Sequence, residues 1–236
     1  MDCGGHGLRS IELFQGLSCE AVAEIEAQCA WLEVEAGQPV FDKDSDTQDV
    51  YFVVAGSVRI LTPGADDQDV ALADIPAGNY FGELAAIDGM RRSARVIAAS
   101  PAVLAQLPSP DFLILMRRHP DVAMRVLGRL SRVIRSLDSR VTDLSTKTDR
   151  QRVYGQLLQL AHPDPGNPDR WLIPDLPNHR EIAAWTGTSR ETVAQAIGEL
   201  ARQGIVRRKG MGLLIPYWRR LQSLADPAPG DGKQAG

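Results

Sequence analysis

The chain is poor in cysteine and histidine and has no long apolar run. Its three cysteines, Cys3, Cys19 and Cys29, form neither an even set nor a C-x-x-C pair. A disulfide framework is therefore not expected, and a reducing compartment fits. A four-cysteine iron–sulfur site would need one ligand more than the chain has. The four histidines, His6, His119, His162 and His179, are scattered without metal-ligand spacing, so no resident metal is expected. No stretch approaches the ~20 apolar residues of a membrane-spanning helix. The first ten residues, MDCGGHGLRS, lack the basic start and apolar centre of a signal peptide. The cytoplasm is the expected location, with no membrane partner.

What remains is an ordinary globular composition. The 236 residues are 44% hydrophobic and 24% charged, with a formal net charge of -4. At ~100–200 residues per domain, that length suits one large domain or two modest ones. The small net charge conceals a segregation. Residues 178–220 carry eight Lys/Arg against three Glu, a local +5 that leaves -9 on the rest. A basic segment on an acidic body points to a polyanion partner, or else to a solvated basic face.

Local patterns divide the chain. Residues 17–30 read as a short helix, with Ser18 as N-cap and Val22, Ile25 and Cys29 on one face. Short β-rich runs follow (VYFVV, SVRIL, VALADI, ARVIA), punctuated by Gly, Pro and Asp, with TPGADDQD as an exposed hairpin tip. Strands so short and so closely spaced imply an antiparallel sandwich or small barrel. The chain turns helical from about residue 110. Leu127, Leu130, Ile134, Leu137, Val141 and Leu144 recur at spacings of three and four, an a/d seam. That seam can pack on the chain's own sheet or against a copy of itself. The charges crowded around it (Arg129, Arg132, Arg135, Asp138, Arg140) favour the copy. STKTD resembles a hinge before a helix at 150–161 capped by Asp149, and HPDPGNPD reads as a Pro-rich loop.

The last motif is the clearest. Asn178 and Glu181 have capping-box spacing, Gly187 supplies a turn, and Ser189 caps a second helix with Val193, Ala196, Ile197 and Leu200 facing inward. That is a helix-turn-helix, and IVRRKGMGLLI after it reads as a β-hairpin wing. Arg190, Glu191 and Gln195 occupy the first turns of the second helix, where side chains reach base edges. Arg matches guanine's two acceptors, Glu accepts from cytosine, and Gln pairs with adenine. Arg207, Arg208 and Lys209 on the wing suit phosphates.

One stretch asks for a different chemistry. In YFGELAAIDGMRRSARV, Glu83 and Arg92 stand at the two ends of an otherwise small and apolar segment. A buried Arg is costly without a partner. Either the two side chains pair with each other, or Arg92 awaits an anionic ligand.

A β-rich N-terminal part, a long seam helix and a C-terminal winged helix-turn-helix together resemble the cyclic AMP receptor (CRP/FNR) family of bacterial transcription regulators. The likeness spans about residues 14–217, with FGELAAIDGMRRSARV and TSRETVAQAIGEL as its specific motifs. It implies an α+β protein. A jelly-roll-like β-roll binding a cyclic nucleotide would occupy residues 1–110, a dimerisation helix 111–145, a winged helix-turn-helix 146–221, and a flexible tail 222–236. By the same resemblance Glu83 would accept from the ribose 2′-hydroxyl and Arg92 would pair with the cyclic phosphate. Ser93 would add a hydroxyl, Gly82 would allow close approach, and Leu84 and Ala85 would offer amides. The DNA-contacting set would be Arg180, Ser189, Arg190, Glu191, Gln195 and Lys209. The implied partners are a second copy, joined along the helix from Leu127 to Leu144, palindromic double-stranded DNA, and RNA polymerase.

Three positions depart from the cyclic-AMP branch. Its base-reading Thr-Ser pair falls on Leu137 and Asp138, and its third base-reading Arg is Gln195. A carboxylate accepts only, and guanine offers two adjacent donors, so Asp138 favours cGMP or tolerates it beside cAMP. Pairing of Asp138 with Arg135 or a partner's Arg140 is the competing reading. A regulator of the same fold that senses haem, gas, redox state or a metabolite is the nearest rival. An enzyme is disfavoured, because no nucleophile–base pair or metal cluster accompanies Glu83 and Arg92.

Overall fold

The computed structural model describes residues 7–63 and 69–226, side chains of 168 and 169 excepted. Most of the TPGADDQD tip and residues 227–236 of the expected tail lie outside the described residues. The chain separates into two compact units, Met1–Ile134 and Arg135–Gly236. The boundary falls inside the long helix expected over 111–145.

In the first unit, two short 3-10 turns (Leu8–Ser10 and Glu12–Phe14) lead into α1 (Cys19–Gln28). Ser18 caps α1 by accepting from the Ala21 N–H. Six strands follow: β1 (Ala30–Val34), β2 (Pro39–Phe41), β3 (Val50–Ala55), β4 (Ser57–Pro63), β5 (Asp69–Pro76) and β6 (Tyr80–Phe81). Helix α2 (Glu83–Asp88) precedes β7 (Arg95–Ala98) and β8 (Ala102–Leu107), and α3 (Ser109–Arg118) and α4 (Pro120–Thr146) come last. The strands form two four-stranded antiparallel sheets, in the orders β1-β8-β3-β6 and β2-β7-β4-β5.

The run VYFVV has no polar alternation because both faces of β3 are covered. Tyr51 and Val53 point into the core shared by the two sheets, with Val58, Phe81, Val96 and Leu104. Val50, Phe52 and Val54 point the other way, onto a layer that includes Phe14, Val22, Phe112, Leu115, Val122 and Val126. A strand buried on both sides reads as continuous apolar sequence. Cys29 joins that second layer, and burial, with Glu26 and Asp111 nearby, pushes its thiol up to about 12. It is therefore unreactive as a nucleophile.

The helix expected over 111–145 is two helices. Pro120 has no N–H to continue α3, and it disfavours helical geometry at His119, which adopts φ -124 and ψ 84. Proline instead opens α4 at its first position, where no donor is needed. Val122 and Val126 anchor α4 in the core, and Leu130 is half-buried against it. Leu127, Ile134, Leu137, Val141 and Leu144 remain 52–64% exposed. Of the seam residues in the first unit, Leu130 packs on the core of that unit, while Leu127 and Ile134 stay exposed.

The second unit contains α5 (Asp149–Leu160), β9 (His162–Asp164), β10 (Asn167–Ile173), α6 (His179–Thr186), α7 (Arg190–Arg202), β11 (Arg207–Lys209), β12 (Gly212–Ile215) and α8 (Trp218–Ala225). Three details differ from expectation. Thr148, one residue before Asp149, caps α5 in a capping box with Gln151. The Pro-rich loop is a hairpin, β9–β10, in the sheet β11-β12-β10-β9. The unit also runs past 221: α8 buries Leu221 and Ala225, and Trp218 stacks on Trp171 at 3.8 Å. Residues 222–225 are therefore helix, not tail.

Phe52 is fully buried, and its ring lies 4.8 Å from that of Phe14. Phe52→Ala should destabilise the first unit by about 3–5 kcal/mol. Denaturant unfolding of the two proteins checks this, and a difference below ~1 kcal/mol would contradict the packing described.

Candidate ligand cavity and nucleic-acid interface

The turn from β6 into α2 builds one side of a cavity in the first unit. Gly82 sits at φ 86, a left-handed conformation that only glycine adopts without strain. A Cβ there would also come within 2.8 Å of Arg92 Nη1 and 2.9 Å of the Asp49 carbonyl. Because Gly82 provides no capping side chain, the first turn of α2 keeps its amides without a side-chain partner. Arg92 enters from the loop after α2, only 2% exposed.

Its guanidinium is held entirely by neutral acceptors. Nε donates to Thr47 Oγ1 at 3.0 Å, Nη1 to the Gly82 carbonyl at 3.0 Å, and Nη2 to the Asp49 carbonyl at 2.7 Å. The Phe41 ring lies 4.1 Å from the guanidinium carbon, in cation–π contact. Burial lowers the basicity of Arg92, and Tyr51, Asp49 and Glu83 oppose that shift. An arginine in such a setting remains charged. Glu83 is half-buried and forms no ion pair or hydrogen bond among the described residues. The expected alternative of a Glu83–Arg92 pair is therefore not formed.

Gly82, Glu83, Leu84, Ala85, Arg92 and Ser93 all line this cavity, with Phe41, Ile60, Phe81, Ala94, Val96 and Arg129. It encloses about 100 Å³, below the ~300–1,000 Å³ of typical ligand pockets. A volume that small cannot enclose a whole nucleotide-sized molecule. One wall is cationic and polar, and the other is apolar. The sequence reading missed Thr47 and Asp49, whose roles lie in a hydroxyl and a backbone carbonyl, and also Arg129. On α4, Arg129 looked like a surface charge of the seam helix. It donates to the Tyr80 carbonyl at 2.6 Å and stacks over the Tyr80 ring at 4.3 Å.

Leu137 and Asp138 are not among the lining residues. They stand on the part of α4 assigned to the second unit, both exposed. Leu137 borders a separate cavity of about 310 Å³ with Val141, Leu144 and Trp185. Asp138 has no ion pair among the described residues, so neither Arg135 nor Arg140 of its own chain neutralises it.

In the second unit the helix-turn-helix is α6–α7. Asn178 Oδ1 accepts from the N–H groups of Arg180 and Glu181, while Glu181 Oε2 accepts from the Asn178 N–H at 3.1 Å. Gly187 closes α6 at φ 61, and Ser189 Oγ accepts from the Thr192 N–H at 3.0 Å to open α7. Arg152 of α5 fixes the turn. It donates to the carbonyls of Thr186 (2.7 Å), Gly187 (3.2 Å) and Lys147 (2.9 Å). Nothing in its sequence neighbourhood marked that role.

Val193, Ala196 and Leu200 are buried, which turns Arg190, Glu191 and Gln195 outward on the first turns of α7. Arg180 and the wing residues Arg207 and Arg208 are also exposed. Lys209 is exposed as well, and its ammonium is bound to Asp164 Oδ2 at 3.1 Å.

Comparison with known proteins bears on both halves. Residues 31–119 match the cyclic nucleotide-binding domain family, and residues 151–224 match the Crp-like helix-turn-helix domain family. The cyclic AMP receptor protein of Thermus thermophilus is 33% identical over 203 residues, 85% of this chain and 90% of its own. The CRP-like cAMP-activated global transcriptional regulator of Mycobacterium tuberculosis is 27% identical, over 89% of this chain and 94% of its own. The crystal structure of the Thermus thermophilus catabolite activator protein covers 90% of this chain and 97% of its own, at 32% identity and a TM-score of 0.54. With a cyclic nucleotide-binding domain, a Crp-like helix-turn-helix and relatives matched over most of their length, the chain belongs to the cyclic AMP receptor (CRP/FNR) family of bacterial transcription regulators.

Proposed function

We propose that the protein is a homodimeric transcription factor switched by a cyclic nucleotide, cAMP or cGMP, and bound to palindromic promoter DNA. The observation that carries this reading is Arg92: a buried guanidinium with only neutral partners, at the wall of a cavity that also presents an unengaged Glu83. A cyclic phosphodiester supplies the single negative charge that such a group lacks, and its ribose hydroxyl supplies the donor that Glu83 lacks. Gly82, Leu84, Ala85 and Ser93 surround those two groups. The exposed stripe of Leu127, Ile134, Leu137, Val141 and Leu144 supports pairing with a second copy. Asp138, without an ion pair among the described residues, keeps an acceptor for a guanine edge, so cGMP stands beside cAMP as effector.

On the DNA side, Ser189 sets the start of α7, and Arg190, Glu191 and Gln195 read bases. Arg180, Arg207 and Arg208 contact phosphates. Two such units in a symmetric dimer fit half-sites about 34–36 Å apart. Nucleotide and DNA then raise each other's affinity by the same factor. RNA polymerase is the partner through which binding acts on transcription.

Four outcomes test this reading. Charge-assisted bonds to phosphate contribute ~1.5–3 kcal/mol, so Arg92→Ala should weaken binding of the effective nucleotide about 10- to 100-fold by calorimetry. Undiminished binding would remove the site. Titrating cAMP and cGMP with and without palindromic DNA should show one or both raising DNA affinity, and affinity that ignores both nucleotides would overturn the switch. Arg190→Ala should cost ~1–3 kcal/mol in specific binding. Selection of preferred sequences with Gln195→Ala should relax one half-site position, and an unchanged consensus would deny Gln195 a reading role.

A further inference from the structure

The wing lysine assigned to phosphate from the sequence is already occupied. Lys209 Nζ donates to Asp164 Oδ2 at 3.1 Å, while the other carboxylate oxygen accepts from the Gly166 N–H at 3.0 Å. The hairpin β9–β10 thus holds Asp164 in one orientation through its own turn, with the second oxygen bound by the wing lysine. The two partners are unequally exposed: the Asp164 side chain is 11% accessible and that of Lys209 52%. Gly166, then Lys209, with Arg170 nearby, hold the Asp164 carboxyl below the usual carboxylate range. It is therefore ionised wherever DNA binding takes place. Arg207 and Arg208, the other wing cations, have no such counter-ion among the described residues.

We propose that Asp164 is an intramolecular competitor for DNA, which withholds Lys209 from the phosphate backbone and leaves the wing to bind through Arg207 and Arg208. This rests on the DNA-binding reading above and goes beyond it by naming a residue outside the helix-turn-helix that limits affinity. A phosphate approaching Lys209 must displace a carboxylate already seated at hydrogen-bond distance, so the exchange gains little. Without that carboxylate, Lys209 becomes one more phosphate contact. Each such contact adds ~0.9 to the steepness with which log affinity falls against log salt.

The test is the salt dependence of binding to a mixed-sequence DNA duplex in saturating cAMP and cGMP. It compares the parent, Asp164→Asn, Lys209→Gln and the double variant. Asparagine keeps an oxygen for the Gly166 N–H, so the hairpin turn survives. Asp164→Ser is a second replacement, and circular dichroism and melting confirm the fold. Asp164→Asn should bind more tightly at low salt, with a slope steeper by ~0.9. Lys209→Gln alone should leave the parent slope unchanged, and in the double variant the gain should vanish. A gain that persists without Lys209 would mean that Asp164 acts only through its long-range field, which overturns the inference. No gain at all, or a slope that already drops with Lys209→Gln, also overturns it. A parent that binds no duplex sinks the DNA-binding reading itself, whereas a parent that binds with the wrong pattern of slopes sinks only the role of Asp164.

Discussion

Removing a guanidinium from water and giving it no carboxylate is the constraint around which the first unit is organised. Arg92 is tolerated at 2% exposure because three backbone or hydroxyl oxygens and an aromatic face surround it. Each of those partners makes a demand on the fold. The Gly82 carbonyl can reach Nη1 only from a left-handed turn, and that turn can exist only where no Cβ intervenes. The Asp49 carbonyl is available because the chain entering β3 passes beneath the arginine. The Phe41 ring is in place because β2 pairs with β7 in the opposite sheet. Neutral acceptors solvate the cation without cancelling it, and the cavity wall keeps its positive potential.

Much of this was legible in the sequence, for identifiable reasons. Glu83 and Arg92 stood out because charged residues are rare in an apolar segment, and the structure brings both to one cavity with Gly82, Leu84, Ala85 and Ser93. The helix-turn-helix was legible because caps are local: Asn178 with Glu181, and Ser189 with Thr192, interact over three residues. Contributions from remote chain or from the backbone were not legible. Thr47 and Asp49 serve through a hydroxyl and a carbonyl that any of several residue types could supply. Arg129 looks from the sequence like every other arginine on α4. The hairpin at 162–173 was hidden by prolines, which read as loop although β9 tolerates one at a sheet edge.

Helix α4 illustrates how one element can carry two apolar surfaces. Val122 and Val126 commit its first turns to the core of the first unit. From Leu127 onward a second stripe is largely exposed, and its regular spacing of three and four was visible in the sequence. Heptad spacing alone could not say which residues were taken up internally. Leu130 shows the ambiguity, since it belongs to the seam by spacing and to the core by contact. The break at His119 and Pro120 lets α3 stay within the core while α4 starts afresh.

The angle between α6 and α7 is not a property of those two helices alone. Arg152, from the preceding helix, clasps the carbonyls of Thr186 and Gly187 at the bend and ties the same guanidinium to Lys147 and Asp149. Lifted out as an isolated peptide, the two-helix motif would lose the brace that sets its elbow, with the outward side chains of Arg190, Glu191 and Gln195 intact but unaimed. The geometry of the motif is inherited from the scaffold upstream of it, and a graft that kept only residues 178–203 would carry both helices without the clasp that sets their angle.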